Sequence, residues 1–137
     1  MPTKKGETKI SKPKIVLVED DTFLAGMYMT KLGLEGFDVD LASDGEKGWK
    51  MIQEEKPALV LPDLILPKLS GLDVLAKIKK EDAIKDIPVI ILTNLGQRDD
   101  VAKGLSLGAA DYLIKAHFMP SEVVEKIKKL LSRPSKT

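Results

Sequence analysis

Three acidic residues in a row, Glu19-Asp20-Asp21, follow the apolar run Ile15-Val16-Leu17-Val18, and Asp63 closes a second run, Ala58-Leu59-Val60-Leu61-Pro62. Runs of this kind read as strands buried on both faces. In open parallel α/β sheets the loops beyond the carboxyl ends of the strands carry the chemistry, so two such strands deliver carboxylates to one edge. Crowded carboxylates either raise a pKa or recruit a divalent cation, and oxygen donors suit a hard ion such as Mg²⁺. Two more polar residues fall at strand ends: Thr93 after Val89-Ile90-Ile91-Leu92, and Lys115 after Tyr112-Leu113-Ile114. A hydroxyl and an ammonium there would meet the oxygens of a phosphoryl group. Mg²⁺ held by Asp20 and Asp63 would spread its charge, and Asp63 would act as nucleophile. Each residue alone has a plainer reading: acids favoured at a helix start, a cap or turn at Asp63 and Thr93, a surface lysine, a packing tyrosine at Tyr112. The set of four points to phosphoryl chemistry.

Positioning these residues requires regular elements, and from Lys14 onward short apolar runs alternate with amphipathic stretches, the pattern of βα units around a parallel sheet. Five strands are expected, over Ile15 to Val18, Asp38 to Ala42, Ala58 to Leu61, Val89 to Leu92 and Tyr112 to Ile114. The first helix sets Phe23 and Met27, and Leu24, Tyr28 and Leu32, at i,i+4 spacing and breaks at Gly33 and Gly36; these read as core-facing stripes. The second starts at a cap, Asp44, and buries Trp49 and Ile52. The third runs from about Ser70 with Leu72, Leu75 and Ile78, and the fourth from about Asp99 with Val101 and Leu105. The fifth follows Pro120-Ser121 with Val123, Ile127, Leu130 and Leu131. Right-handed crossovers then place helices on both faces of a doubly wound, five-stranded parallel sheet.

With 137 residues, 43% of them apolar, the chain has room for one domain with its own core. It has no Cys, which removes disulfides and thiolate metal sites, and its one His, His117, removes His-based metal clusters and charge-relay triads. No run approaches a membrane span or the apolar core of a signal peptide, so a cytoplasmic location and no membrane partner are expected. The net charge of +1 conceals an uneven distribution: residues 1 to 13 carry +3 and the remainder −2. The expected organisation is a disordered basic tail over 1–13, a domain over 14–132 and a short tail over 133–137.

The segments Lys14-Ile15-Val16-Leu17-Val18-Glu19-Asp20-Asp21, Pro57 to Pro67 around Asp63, Pro88-Val89-Ile90-Ile91-Leu92-Thr93 and Gly108-Ala109-Ala110-Asp111-Tyr112-Leu113-Ile114-Lys115 closely resemble the receiver domain of two-component response regulators. The resemblance covers about residues 14 to 132, with the motifs in order. It implies the flavodoxin-like (βα)5 fold with strand order 2-1-3-4-5. Asp63 is then the phosphoacceptor for a sensor histidine kinase or histidine phosphotransfer protein, making the chain a phospho-switch rather than an enzyme. The resemblance further implies Mg²⁺ ligated by Asp20 and Asp63, by Glu19 through water and by the Ile65 carbonyl. Thr93 and Lys115 match the switch hydroxyl and the phosphate-pairing lysine, and Tyr112 the aromatic that changes rotamer on activation. Output would pass through the face of the fourth helix, fifth strand and fifth helix, to a protein partner or in a phosphorylation-linked dimer, without direct nucleic-acid binding.

Two residues depart from the family pattern. Pro62 stands where an apolar residue with a free N–H is usual, and it removes one donor from a central strand. Ala116 stands where a proline, normally after a cis bond, follows the lysine; a cis bond before Ala costs about 3 kcal/mol, so the alternatives are strain or a trans bond that re-aims Lys115. Apolar Ile65 and Leu95, two residues beyond Asp63 and Thr93, lie at positions that govern water access in the family and predict slow loss of phosphate. Other functions fit less well. A phosphorylation-independent docking module of the same fold would leave four polar residues crowded without purpose. A haloacid-dehalogenase-like phosphotransferase needs a second Asp where Ile65 stands. A flavodoxin-like cofactor binder needs a Gly-rich phosphate loop that does not follow the first strand.

Overall fold

The computed structural model describes residues 12–132. Of the expected tails, residues 1–11 and 133–137 lie outside the described residues, while the Pro13 carbonyl already accepts from Asp38 N at 3.0 Å. The elements alternate throughout: β1 (Lys14–Val18), α1 (Thr22–Leu34), β2 (Asp38–Ala42), α2 (Gly45–Glu55), β3 (Leu59–Pro62), α3 (Gly71–Lys80), β4 (Ile90–Thr93), α4 (Arg98–Ser106), β5 (Asp111–Ile114) and α5 (Pro120–Leu131), with one 3-10 turn over Lys115–His117. Three of the helices, α1, α2 and α3, begin where a side chain satisfies free N–H groups. Asp21 accepts from Phe23 N and Leu24 N, Asp44 from Lys47 N at 2.8 Å, and Ser70 from Asp73 N at 3.1 Å.

All strand pairs are parallel: β1 lies between β2 and β3, and β4 pairs with β5. β3 and β4 meet through a single bridge, Val60 opposite Val89, which completes the expected order 2-1-3-4-5 and the doubly wound, flavodoxin-like fold. The reason that this ladder is so short lies in the sequence. Val60 N donates to Pro88 O at 3.0 Å; two residues on, the same register asks residue 62 to donate towards Ile90. Pro62 has no N–H to give.

Side chains alternate across the sheet and build one core on each face. On one face Ile15, Leu17, Leu59 and Leu61 pack with Tyr28 and Leu32 of α1 and Val123 and Ile127 of α5. On the other Val16, Val18 and Val60 pack with Ile52 of α2, Leu75 and Ile78 of α3, and Tyr112. The reading of α1 needs correction: Ala25, Tyr28 and Leu32 face the core, but Phe23 is 78% exposed and Met27 38% exposed. Apolar residues occur on all sides of α1, so spacing alone does not choose its inner face. Trp49 is half-buried, its ring covered by Lys77 Nζ at 5.8 Å from the centroid, rather than fully in the core.

Candidate functional site

Strand register brings the site together. One rung beyond β1, Glu19 N donates to Ala42 O at 3.0 Å, and one rung beyond β3, Asp63 N donates to Val18 O at 3.0 Å. Glu19 and Asp63 therefore leave adjacent strands side by side. Thr93 ends β4 opposite Ile114, the residue before Lys115. The two halves of the sheet thus contribute complementary groups, carboxylates from β1 and β3, a hydroxyl and an ammonium from β4 and β5.

Asp63 is buried, and both its oxygens are engaged. Oδ1 accepts from Thr93 Oγ1 at 2.6 Å and from Ile65 N at 3.2 Å; Oδ2 accepts from Lys115 Nζ at 2.7 Å. The same ammonium donates to Glu19 Oε1 at 2.5 Å, while Glu19 Oε2 accepts from Asp21 N at 3.1 Å. The Lys115 and Glu19 side chains are only 9% and 4% exposed. Burial pushes the Lys115 amine down, but hydrogen bonds to Asp63 and Glu19, and their charges, outweigh it and raise its pKa above the ordinary 10.5. Described residues contain no cis peptide bond, so Lys115–Ala116 is trans, and Lys115 still reaches both carboxylates. Of the two alternatives for Ala116, strain is absent and the re-aiming does not carry the ammonium away.

The expected electrostatic crowding is corrected by this geometry. Glu19 and Asp63 share an internal ammonium, and no group of three or more Asp, Glu, His or Cys side chains is gathered as a metal cluster among the described residues. Asp20 is exposed at the rim. The carboxylates of Glu19, Asp20 and Asp63 leave this edge of the sheet as oxygen donors, the kind that suits a hard cation. Asp21, within the acidic triplet, caps α1 instead. Tyr112 is 8% exposed, and its hydroxyl donates to Leu95 O at 2.5 Å, tying β5 to the loop after Thr93; burial raises its pKa above 10.0. The sequence reading missed the Glu19–Lys115 bond, which has no local signal because it joins residues 96 apart in the chain; the Ile65 N–H bond is the local turn that an aspartate makes two residues on.

Gly71 supports the site from behind. It opens α3, its N–H donates to Leu64 O at 3.1 Å, and a Cβ there would lie 2.1 Å from the Asp63 carbonyl oxygen and 2.9 Å from Leu64 Cα. Both obstacles are backbone and cannot swing aside. Gly71→Ala is expected to destabilise the fold by about 1–3 kcal/mol, the range for overpacking, as read from a lowered urea midpoint at unchanged slope.

A buried aspartate at the mouth of a doubly wound parallel sheet, with a hydroxyl on one oxygen and an ammonium on the other, sets beside one carboxylate the two donors that phosphoryl oxygens would need. Comparison with known proteins agrees: the family model of the response regulator receiver domain matches residues 15–128, and the chain belongs to that family. The protein named "Probable transcriptional regulator ycf27" from Cyanophora paradoxa is 41% identical over 125 residues, 91% of this chain and 51% of that protein. "DNA-binding dual master transcriptional regulator RpaA" from Synechocystis is 36% identical over 121 residues, 88% of this chain and 50% of that protein. The chain spans about half the length of the curated relatives it matches. Among solved structures, the Francisella response regulator 1452 receiver domain superposes with a TM-score of 0.82 at 30% identity, covering 88% of this chain and 98% of that one. Membership of that family makes the domain a phospho-accepting switch of the two-component type.

Proposed function

We propose that Asp63 is the residue that takes the phosphoryl group. The observation that carries this is the separate engagement of its two oxygens by Thr93 and Lys115. An Oδ attacking phosphorus forms the O–P bond of an acyl phosphate while the donor's bond to phosphorus breaks, P–N of a phosphohistidine or P–O of acetyl phosphate, and the imidazole or acetate leaves. Charge on the phosphoryl oxygens grows where a hydroxyl and an ammonium already stand. Asp20, Asp63, Glu19 and the Ile65 carbonyl would hold Mg²⁺, which supplies charge neutralisation for the incoming phosphoryl oxygens. Lys115 then exchanges a carboxylate partner for a phosphoryl one, and Thr93 follows it.

Tyr112 and the Leu95 carbonyl give the state of Thr93 a route to the face formed by α4, β5 and α5, where Lys126 already pairs with Asp111 at 3.8 Å. That face is the proposed output surface, used by a protein partner or a phosphorylation-linked second copy and not by nucleic acid directly. No helix among the described residues is long and apolar enough to cross a membrane; a cytoplasmic setting with a cytoplasmic kinase domain fits the relay. The domain proper is proposed to span 14–132.

Intact mass after incubation with acetyl phosphate tests the reading. One phosphoryl mass is expected with Mg²⁺ and none when the metal is chelated; uptake indifferent to Mg²⁺ would contradict the assigned ligand set. The Ile65 side chain, 61% exposed at the mouth of the site, and Leu95 are expected to slow hydrolysis. The mass increment should persist after the donor is removed, and Ile65→Asn should shorten its lifetime.

A further inference from the structure

The missing rung between β3 and β4 lies beside the acceptor, and its surroundings give it a role. Along a strand, backbone groups point alternately to the two neighbours. Ala110 N donates to Val89 O at 2.8 Å, so Val89 faces β5, and Pro88 and Ile90 face β3. The Ile90 carbonyl is therefore directed at residue 62, where proline supplies nothing. β3 and β4 share one bridge, Val60 opposite Val89, with Val60 N donating to Pro88 O; in the next rung only the Pro62 carbonyl can take part, as acceptor for Leu92 N. At the other end three side-chain bonds span the two halves: Thr93 to Asp63, Lys115 to Asp63 and Lys115 to Glu19. Elsewhere the plates are continuous, with five residue pairs in register between β1 and β2, four between β1 and β3, and four between β4 and β5.

We propose that Pro62 is a positioning residue that divides the sheet into two plates, β2-β1-β3 and β4-β5, whose alignment beside Asp63 is held by the site's own side chains. With an N–H at position 62 the ladder would fix that alignment regardless of the site. Without it, the cores on the two faces still join the plates, but the polar bonds beside Asp63 that set their alignment are those of Thr93 and Lys115. The consequence for signalling, that phosphoryl transfer is read as a change in β3–β4 pairing, rests on Asp63 being the acceptor; the seam itself does not.

Amide hydrogen exchange on the full chain tests the seam without phosphate. Leu92 faces β3 and reports on it; Ile91 faces β5 and serves as the internal control. Thr93→Val removes a bond across the seam at nearly constant volume and is expected to speed exchange at Leu92 by about tenfold, the scale of one hydrogen bond, with Ile91 unchanged. In a Pro62→Val or Pro62→Ala background the same substitution should leave the Leu92 rate nearly unchanged. Equal acceleration with and without Pro62, or a wild-type Leu92 that Thr93→Val does not affect, would overturn the proposal. With acetyl phosphate and Mg²⁺, a gain of phosphoryl mass without change at Leu92 would overturn the signalling consequence, whereas no gain would count against Asp63 as acceptor and leave the seam to the Thr93 comparison.

Discussion

Asp63→Asn is expected to abolish phosphoryl incorporation from acetyl phosphate while leaving the fold in place. The carboxamide is nearly isosteric and its oxygen can still accept from Thr93, so the packing at the end of β3 is retained. It lacks the negative oxygen that attacks phosphorus, and it removes one of the two anionic partners of Lys115. A side-chain amide is a poor nucleophile because its electron pair is delocalised. Intact mass should show no increment in the variant under conditions in which the wild type gains one, with circular dichroism confirming that both are folded. Uptake at the wild-type level would remove Asp63 from the role of acceptor.

Lys115→Met is expected to have the largest effect on stability. Lys115 is the ammonium between two carboxylates whose side chains are 4% and 11% exposed, and removing one partner of a buried ionic network costs about 3–5 kcal/mol because the others remain buried without compensation. The pH dependence has a definite sign. Lys115 has a folded pKa raised above 10.5, so its contribution is fully present below the unfolded value and is lost as pH rises through the folded value. Urea titrations of wild type and variant should therefore differ most near neutral pH and converge in strongly alkaline solution. A constant gap across that range would mean that Lys115 stabilises through packing of its methylenes rather than through its charge. Phosphoryl uptake should survive this substitution while the conformational response weakens, because Lys115 contacts Asp63, the proposed acceptor, without forming the new bond.

The strands were legible because burial on both faces demands near-continuous apolar runs, and Ile15 to Val18 and Val89 to Leu92 supply them. The edges were less so: β3 extends to Pro62 and β4 to Thr93, since position in a ladder depends on neighbours far away in the chain. Asp44 and Ser70 announced their helices through local capping chemistry. Phe23 and Met27 were misplaced because α1 offers apolar residues on several sides, and only the positions of β1, β5 and α5 decide which of them is covered. At the site the residue identities were legible and their pairing was not. Carboxylates expected to repel one another share Lys115, a contact set by the register of β1 against β3 and by the path of the chain after β5. Pro62 was visible as an irregularity, but its effect on β3 and β4 required knowing that Val60 and Pro88 are partners.

Trp49 adds an experimental consequence. It is the chain's only indole, and it sits on α2 against Lys77 of α3, two helices outside the proposed α4–β5–α5 output face. Its emission should follow global unfolding cleanly, since exposure of the ring and loss of the overlying ammonium both accompany melting. It should be nearly silent when the receiver switches. The native fluorophore therefore serves as the stability probe for the variants above, and optical detection of activation calls for a second fluorophore placed on α4, outside the reach of the first.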